Sequence, residues 1–222
     1  MNAGAIILGI IIIIFCYILY LFITKQDSYI LTNVTDITSA FTPSNSSQYV
    51  PTANTFAYGI WIYLGTWDNT SNKNIITMKS DSKGNNLIVY LDQNDPILYV
   101  SFGSNTNNNP ITIMNNFPIQ KWVHIIVSVD NQYLDIYVDG KLIKSIQVNS
   151  VIMKQDTTGL NISSGNINNA FITYFNVWTN TAVDPGTAWK YYLKGNGMSN
   201  YAYGADLQIL QNNTVQSTYR LF

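Results

Sequence analysis

Twelve aspartates, one histidine and one cysteine are the side chains of this 222-residue sequence best suited to chemistry, and glutamate is absent. Hydrolysis of a glycosidic bond takes two carboxylates, one to protonate the leaving oxygen and one to act as nucleophile or base. Two aspartates could in principle serve, and Asp135 and Asp139 are neighbours in sequence. Asp139, however, begins Asp139-Gly140, the pair that a tight hairpin with positive φ needs, and Asp135 falls on the solvent side of its strand. Catalysis by this pair is not expected. A Ser-His-Asp or Cys-His unit would have to be built on His124, which stands on a strand beside Trp122 without a nucleophile motif and reads as a partly buried structural histidine. Cys16 lies inside an apolar run, which leaves no thiolate cluster for zinc or iron and no intrachain disulfide.

Binding chemistry has more to work with. Calcium takes Asp, Asn and carbonyl oxygens from a loop. Asp92-Gln93-Asn94-Asp95 is the best such cluster, with Asp81 a further candidate, although Asp92 and Asp95 ahead of Pro96 also suit an ordinary hairpin loop. No other cofactor is expected. Exposed aromatic rings stack on sugars, and Trp67, in a polar loop with Asp68-Asn69, is the tryptophan that packing explains least. Asn107-Asn108-Asn109-Pro110 extends a loop with neutral amides, which can hydrogen-bond a protein partner without desolvating charge; a general enrichment in Asn explains the run equally well.

Composition removes other classes. Charged residues make up only 10%, the formal net charge is −1, and Arg220 is the sole arginine beside ten lysines. Without a basic stripe there is no counterion-release drive for nucleic-acid binding. Five N-x-Ser/Thr sequons, at Asn33, Asn45, Asn69, Asn161 and Asn212, are about what chance gives in so Asn-rich a chain and carry no inference about glycosylation.

The elements that would position these residues divide the chain into three. Ala3 to Ile23 is uncharged and includes five consecutive isoleucines, Ile10 to Ile14. At 1.5 Å per residue it is long enough to span a hydrocarbon core of about 30 Å, so residues 1–25 read as an uncleaved transmembrane anchor in contact with lipid. Its flanking charges are too few to set an orientation. Residues 26–51, rich in Ser, Thr and Asn, read as a stalk with an opening strand near Ser28 to Val34. From residue 52 to 222 short strands alternate with Asn/Gly/Asp turns. Phe56, Tyr58, Ile60, Ile62 and Leu64 share one face by period 2, as do Val123, Ile125, Val127 and Val129, and then Leu134, Ile136 and Val138. Further strands are expected at Asn74 to Met78, Leu87 to Leu91, Ile97 to Phe102, Leu160 to Ser163, Phe171 to Trp178, Asp206 to Gln211 and Val215 to Phe222. One short helix is expected from Asp184 to Lys194, with Asp184 as N-cap, Pro185 at its first position and Gly195 at its stop. The fold class is all-β: a two-sheet antiparallel jelly-roll sandwich with one short helix, preceded by a single transmembrane helix.

Pro118-Ile119-Gln120-Lys121-Trp122-Val123-His124 followed by Leu134-Asp135-Ile136-Tyr137-Val138-Asp139-Gly140-Lys141-Leu142 resembles the hallmark of concanavalin A-like, laminin G-type jelly rolls. Thr55 to Tyr63 looks like the early strand of that family, and Asn176-Val177-Trp178 with Asp184-Pro185 and Trp189 like its closing strand and helix. The resemblance implies that Trp61, Trp122 and Trp178 pack between the sheets or against the helix, and that Trp61, Trp122, Asp139, Gly140 and Trp178 define the fold. Glycanases of the family carry Glu-x-Asp-x-x-Glu on one strand, which this chain lacks. The N-terminal apolar segment together with the Tyr203 to Phe222 ending is similar to membrane-anchored sandwich proteins of nucleocytoplasmic large DNA viruses. That likeness implies a non-enzymatic minor capsid protein of the virion, its partners an internal membrane and the capsid shell that the domain faces. A membrane-anchored, glycan-binding adhesion module is the alternative.

Overall fold

A computed structural model describes residues 9–18, 29–39, 41–42, 50–79, 86–103, 110–149, 152, 160–162, 167–197, 206–211 and 214–220. The three alternating runs of the sequence become β3 (Thr55–Leu64), β8 (Trp122–Asp130) and β9 (Tyr133–Val138), and their apolar sets all turn into one core. The Asn131-Gln132 turn and the Asp139-Gly140 turn, with φ +48° and +75° at the latter pair, fold β8, β9 and β10 (Lys141–Gln147) into a meander. With β1 (Tyr29–Leu31), β2 (Thr35–Asp36) and β12 (Ala170–Thr179) they make a seven-stranded sheet ordered β1-β12-β3-β8-β9-β10, with β2 also on β12. The facing five-stranded sheet is β11-β4-β5-β6-β7, from β4 (Lys73–Lys79), β5 (Asn86–Leu91), β6 (Leu98–Gly103), β7 (Ile111–Met114) and β11 (Leu160–Ile162). All the pairings are antiparallel, and Tyr58, Phe56, Phe175, Ile60 and Met78 fill the space between the sheets.

Strand β7 is absent from the sequence-based expectation. Its four residues lie between Pro110 and Asn115-Asn116, too short a run to show alternation, and pairing with β6 is what makes them a strand. The segment read as a stalk is in part built into the sandwich. Residues 29–42 run along its edge: β1 and β2 join β12, Ile37 is fully buried with its N–H on the Ala170 carbonyl at 3.0 Å, and Phe41 bridges to Ile162 of the other sheet. Ile37, buried in the core, and Leu31 and Phe41, partly buried against it, explain why this polar-looking stretch is held. Residues 9–18 form α1, an apolar helix whose isoleucines are more than half exposed. Among the described residues no helix is long and apolar enough to cross a membrane; the remainder of the Ala3 to Ile23 run lies outside them. Helix α2 (Pro185–Leu193) has the expected ends: Asp184 caps it through Oδ1, which accepts from the N–H groups of Gly186 and Thr187 at 2.8 and 3.1 Å, and Gly195 follows at φ +74°. The C-terminal β13 (Asp206–Gln211) and β14 (Thr214–Arg220) pair with each other as a hairpin.

Candidate functional site

The outer face of the seven-stranded sheet is where His124, Asp135 and the three fold-defining tryptophans collect, because every second side chain of its strands must point away from the core. Trp61 stands opposite His124 across β3 and β8, and their rings stack at 4.9 Å. Tyr192 of α2 lies over both, 5.6 Å from Trp61 and 6.4 Å from His124. His124 is therefore not half-buried, as its place in the sequence suggests, but 3% exposed, and Nδ1 has no hydrogen-bond partner. Burial lowers its pKa to about 4, which keeps the ring neutral. Asp139 continues the β8 ladder around the turn: its N–H donates to the His124 carbonyl at 2.8 Å, and its Oδ1 accepts the His124 N–H at 3.0 Å. With its other oxygen 3.4 Å from Lys121, Asp139 holds the turn and is not free to join Asp135 in catalysis.

None of the three fold-defining tryptophans lies between the sheets. Trp61 is under α2, and Trp178 meets Tyr191 edge-on at 4.7 Å while its ring lies so close to Gly59 that a Cβ there would fall 2.8 Å from Trp178 Cζ3. Trp122 is half-exposed beside Tyr63, at 5.6 Å, away from the core. The alternation itself decides this, since Trp122 has the parity of His124 and not that of the buried Val123.

Next to the aromatic stack, the row Ser128–Asp135–Ser145 crosses β8, β9 and β10 at the bottom of a cleft of about 380 Å³. Tyr133 and Tyr137, two residues either side of Asp135, line the cleft along the strand. Its far wall is the segment 182–185, pinned to the sheet by Val183: the Val183 N–H donates to Ser128 Oγ at 2.8 Å, and Tyr137 Oη donates to the Val183 carbonyl at 3.0 Å. Burial, with the Asp135 and Asp184 charges, pushes the Tyr137 phenol up to about 12, so it stays a donor. Three carboxylates face the cleft. Asp184 is taken up by the helix cap, whose hydrogen bonds, first that from Thr187, hold its pKa below the usual value. Asp130 accepts from Thr55 Oγ1 and Asn131 Nδ2 at 3.1 and 3.0 Å. Asp135 Oδ1, in contrast, is buried without a partner. Tyr133, 52% exposed, offers a ring face beside it. The arrangement can accept hydrogen bonds from a ligand's hydroxyl or ammonium groups and stack against an apolar face. Sequence reasoning put Asp135 on the outer face but missed the cleft. The one local sign was the alternation Tyr133, Asp135, Tyr137, with aromatic rings where a solvated strand would carry small polar groups.

At the sandwich end formed by the β3–β4 and β5–β6 loops, Trp67 does not stand free for a ligand. It is half-buried against the core, its Nε1 donates to the Asn94 carbonyl at 3.3 Å, and the Lys73 ammonium sits 4.5 Å over its ring. Lys73 itself is 1% exposed and is held by the Asp68 and Ser71 carbonyls at 2.5 and 3.1 Å and by the Asp68 carboxylate at 3.4 Å. Hydrogen bonds, chiefly from Thr70, bring Asp68 down to about 2. Asp92, proposed for calcium, turns back on its own loop, Oδ2 accepting from the Asn94 N–H at 2.9 Å and the Asp95 N–H at 3.4 Å. Among the described residues no group of three His, Cys, Asp or Glu is gathered as for a metal ion. Asp81 and Asn107, Asn108 and Asn109 lie outside the described residues.

A two-sheet antiparallel jelly roll with a helix laid across one outer face and a polar cleft beside that helix defines a class of all-β sandwich. The chain belongs to the laminin G-like branch of the Concanavalin A-like lectin/glucanases superfamily, whose family model matches residues 36–185. Among solved structures it is similar to botulinum neurotoxin type C, in a study of cell entry through two ganglioside molecules, with a TM-score of 0.53 and 18% identity over 76% of this chain and 43% of that one. It is also similar to Trypanosoma rangeli sialidase in complex with sialic acid, with a TM-score of 0.51 and 11% identity over 65% of this chain and 24% of that one. The chain thus spans less than half the length of these structures, and at such identities the likeness is one of fold. Comparison with curated proteins gives no match.

Proposed function

We propose that the chain is a membrane-tethered, non-catalytic binding module, and that it works in the virion of a large DNA virus by linking an internal membrane to the capsid shell. The observation that carries the binding role is the unpartnered Asp135 oxygen in an open cleft beside the exposed Tyr133. A buried acceptor without a donor is costly unless something brings one, and a serine, threonine or lysine side chain of a shell protein would do so. The non-catalytic part is supported by the state of the neighbouring carboxylates, since Asp184 and Asp130 are already committed to a helix cap and a turn. Tethering is supported by the exposed isoleucines of α1, which the sandwich does not cover. Placement in the virion is supported by the order of parts, an apolar N-terminal segment, a sandwich and a closing hairpin of β13 and β14.

A second reading, glycan binding, is favoured by the same pairing of a tyrosine ring with a carboxylate, and by the ganglioside named for the botulinum structure. The full chain in nanodiscs, offered in parallel to isolated capsid shell protein and to a glycan array, separates the two. Capture of shell protein that Asp135→Asn and Tyr133→Ala each abolish supports the proposal. Glycan binding abolished by the same changes, with no capture of shell protein, replaces it by the second reading.

A further inference from the structure

The outward side of α2 carries a partly exposed apolar stripe. Ala188 and Tyr191 turn down onto the sheet and are buried, whereas Trp189 and Leu193, one helical turn apart, are 42% and 65% exposed. Lys190 and Lys194, also exposed, run beside them on the same helix, the Lys194 ammonium lying 4.5 Å over the Tyr191 ring. The β9–β10 turn rises against this spot: a Cβ on Gly140 would lie 2.8 Å from Tyr192 Cβ and 2.9 Å from Trp189 Cε3. It brings exposed Lys141 and Leu142, and Lys121 stands 3.4 Å from Asp139 of the same turn. Four of the ten lysines therefore surround a tryptophan and two leucines; Asp139, paired with Lys121, is the carboxylate of the same turn, and that of Asp184 is at the opposite end of the helix.

We propose that this face docks on an anionic lipid bilayer, with the Trp189 indole and the leucines at the headgroup–acyl boundary and the lysines on the lipid headgroups. Tryptophan favours that boundary, and lysine stems lie along apolar surface while their ammonium groups reach outward to anionic lipid. A protein partner fits the patch less well, because lysine is depleted from the cores of protein interfaces. The reach of the chain favours the bilayer too, and in this respect the inference rests on the tethering reading. Only Lys25 to Ser28 separate Thr24 from the first residue of β1, a distance of at most about 18 Å when extended. A sandwich so close to its anchor meets the bilayer surface continually, so weak docking suffices.

The test uses the full chain in vesicles of phosphatidylcholine alone or with phosphatidylserine, the acyl chains brominated near the headgroup to quench tryptophan. Flotation reports tethering, and the difference in quenching between the parent and Trp189→Phe reports docking. The expected result is Trp189-dependent quenching that requires phosphatidylserine. The combined change Lys141→Ser, Lys190→Ser and Lys194→Ser should shift docking by roughly a hundredfold toward the free state, at about fivefold per lysine. Unchanged thermal melts would show that all variants are folded. A chain that floats with both vesicles but is quenched equally with and without Trp189 overturns the docking and leaves the tether. A chain that floats only with phosphatidylserine, Trp189 quenched, upholds the docking and overturns the tether. Failure to float with either overturns both. Concentration-dependent self-association in detergent that Leu193→Asp abolishes, without lipid quenching, assigns the face to a second copy and overturns the proposal.

Discussion

His124 is the residue whose chemistry is most altered by its surroundings, since a ring buried against Trp61 beneath Tyr192 takes up a proton only near pH 4 whereas the unfolded chain does so near 6.5. Because the folded pKa is the lower one, its contribution to stability is complete above about 6.5, is lost progressively as the pH falls toward 4, and changes no further below that. The expected loss is on the order of 3 kcal/mol. Urea titrations from pH 7 to 4 should show this decline, and His124→Phe should flatten it. Removing a half-exposed tryptophan and a core ring should differ in the same kind of experiment. Trp122→Ala, on the outer face, is expected to cost about 1–2 kcal/mol for its partial burial, against about 3–5 for Phe56→Ala between the sheets. The inward faces were legible because alternation is a local property, and read strictly it also puts Trp122 outside. The cleft over Asp135 was not legible, since its far wall depends on Val183 being brought across 46 residues to the Tyr137 hydroxyl.

Helix α2 is the element on which both sides of the outer face depend. Its N-terminal approach forms one wall of the cleft, its buried Tyr191 packs Trp178, and Tyr192 closes the His124 stack. Both helix ends could be read from Asp184-Pro185 and Gly195, because caps are set by a few adjacent residues. Asp184→Ala should remove the acceptor for the Gly186 and Thr187 N–H groups and cost about 1 kcal/mol, measured as a lowered melting temperature. The β9–β10 turn is the other supporting element. Gly140→Ala forces a side chain into the left-handed region and into Tyr192 and Trp189, so the loss should exceed the about 1–2 kcal/mol of the backbone strain alone. Strand β7 shows the limit of local reading: four residues between asparagines become a strand because β6 offers them a ladder.

At the scale of the whole molecule, anchor and sandwich should be separable. The described α1 residues are exposed rather than packed, so removing residues 1–24 should leave a domain with an unchanged melting temperature that no longer needs detergent. Sedimentation and a thermal melt of the truncated chain check this, and a domain that cannot fold without those residues would contradict it. The way residues 29–42 line the sandwich edge has a mechanical meaning as well. If the N-terminal segment is held in a membrane and the cleft is held by a partner, tension enters the domain through β1, three residues long and interrupted by a register shift, before it reaches the ten-residue strands β3 and β12. Such an edge peels one bond pair at a time. Release of residues 29–42 would free a segment about 45 Å long when extended, at roughly 3.3 Å per residue, and lengthen the leash by that less the distance already spanned along the edge, while the β3–β12 and β3–β8 ladders stayed closed. Under such a load the sandwich edge would act as a shock absorber, letting the distance between its two attachment points fluctuate without unfolding the domain.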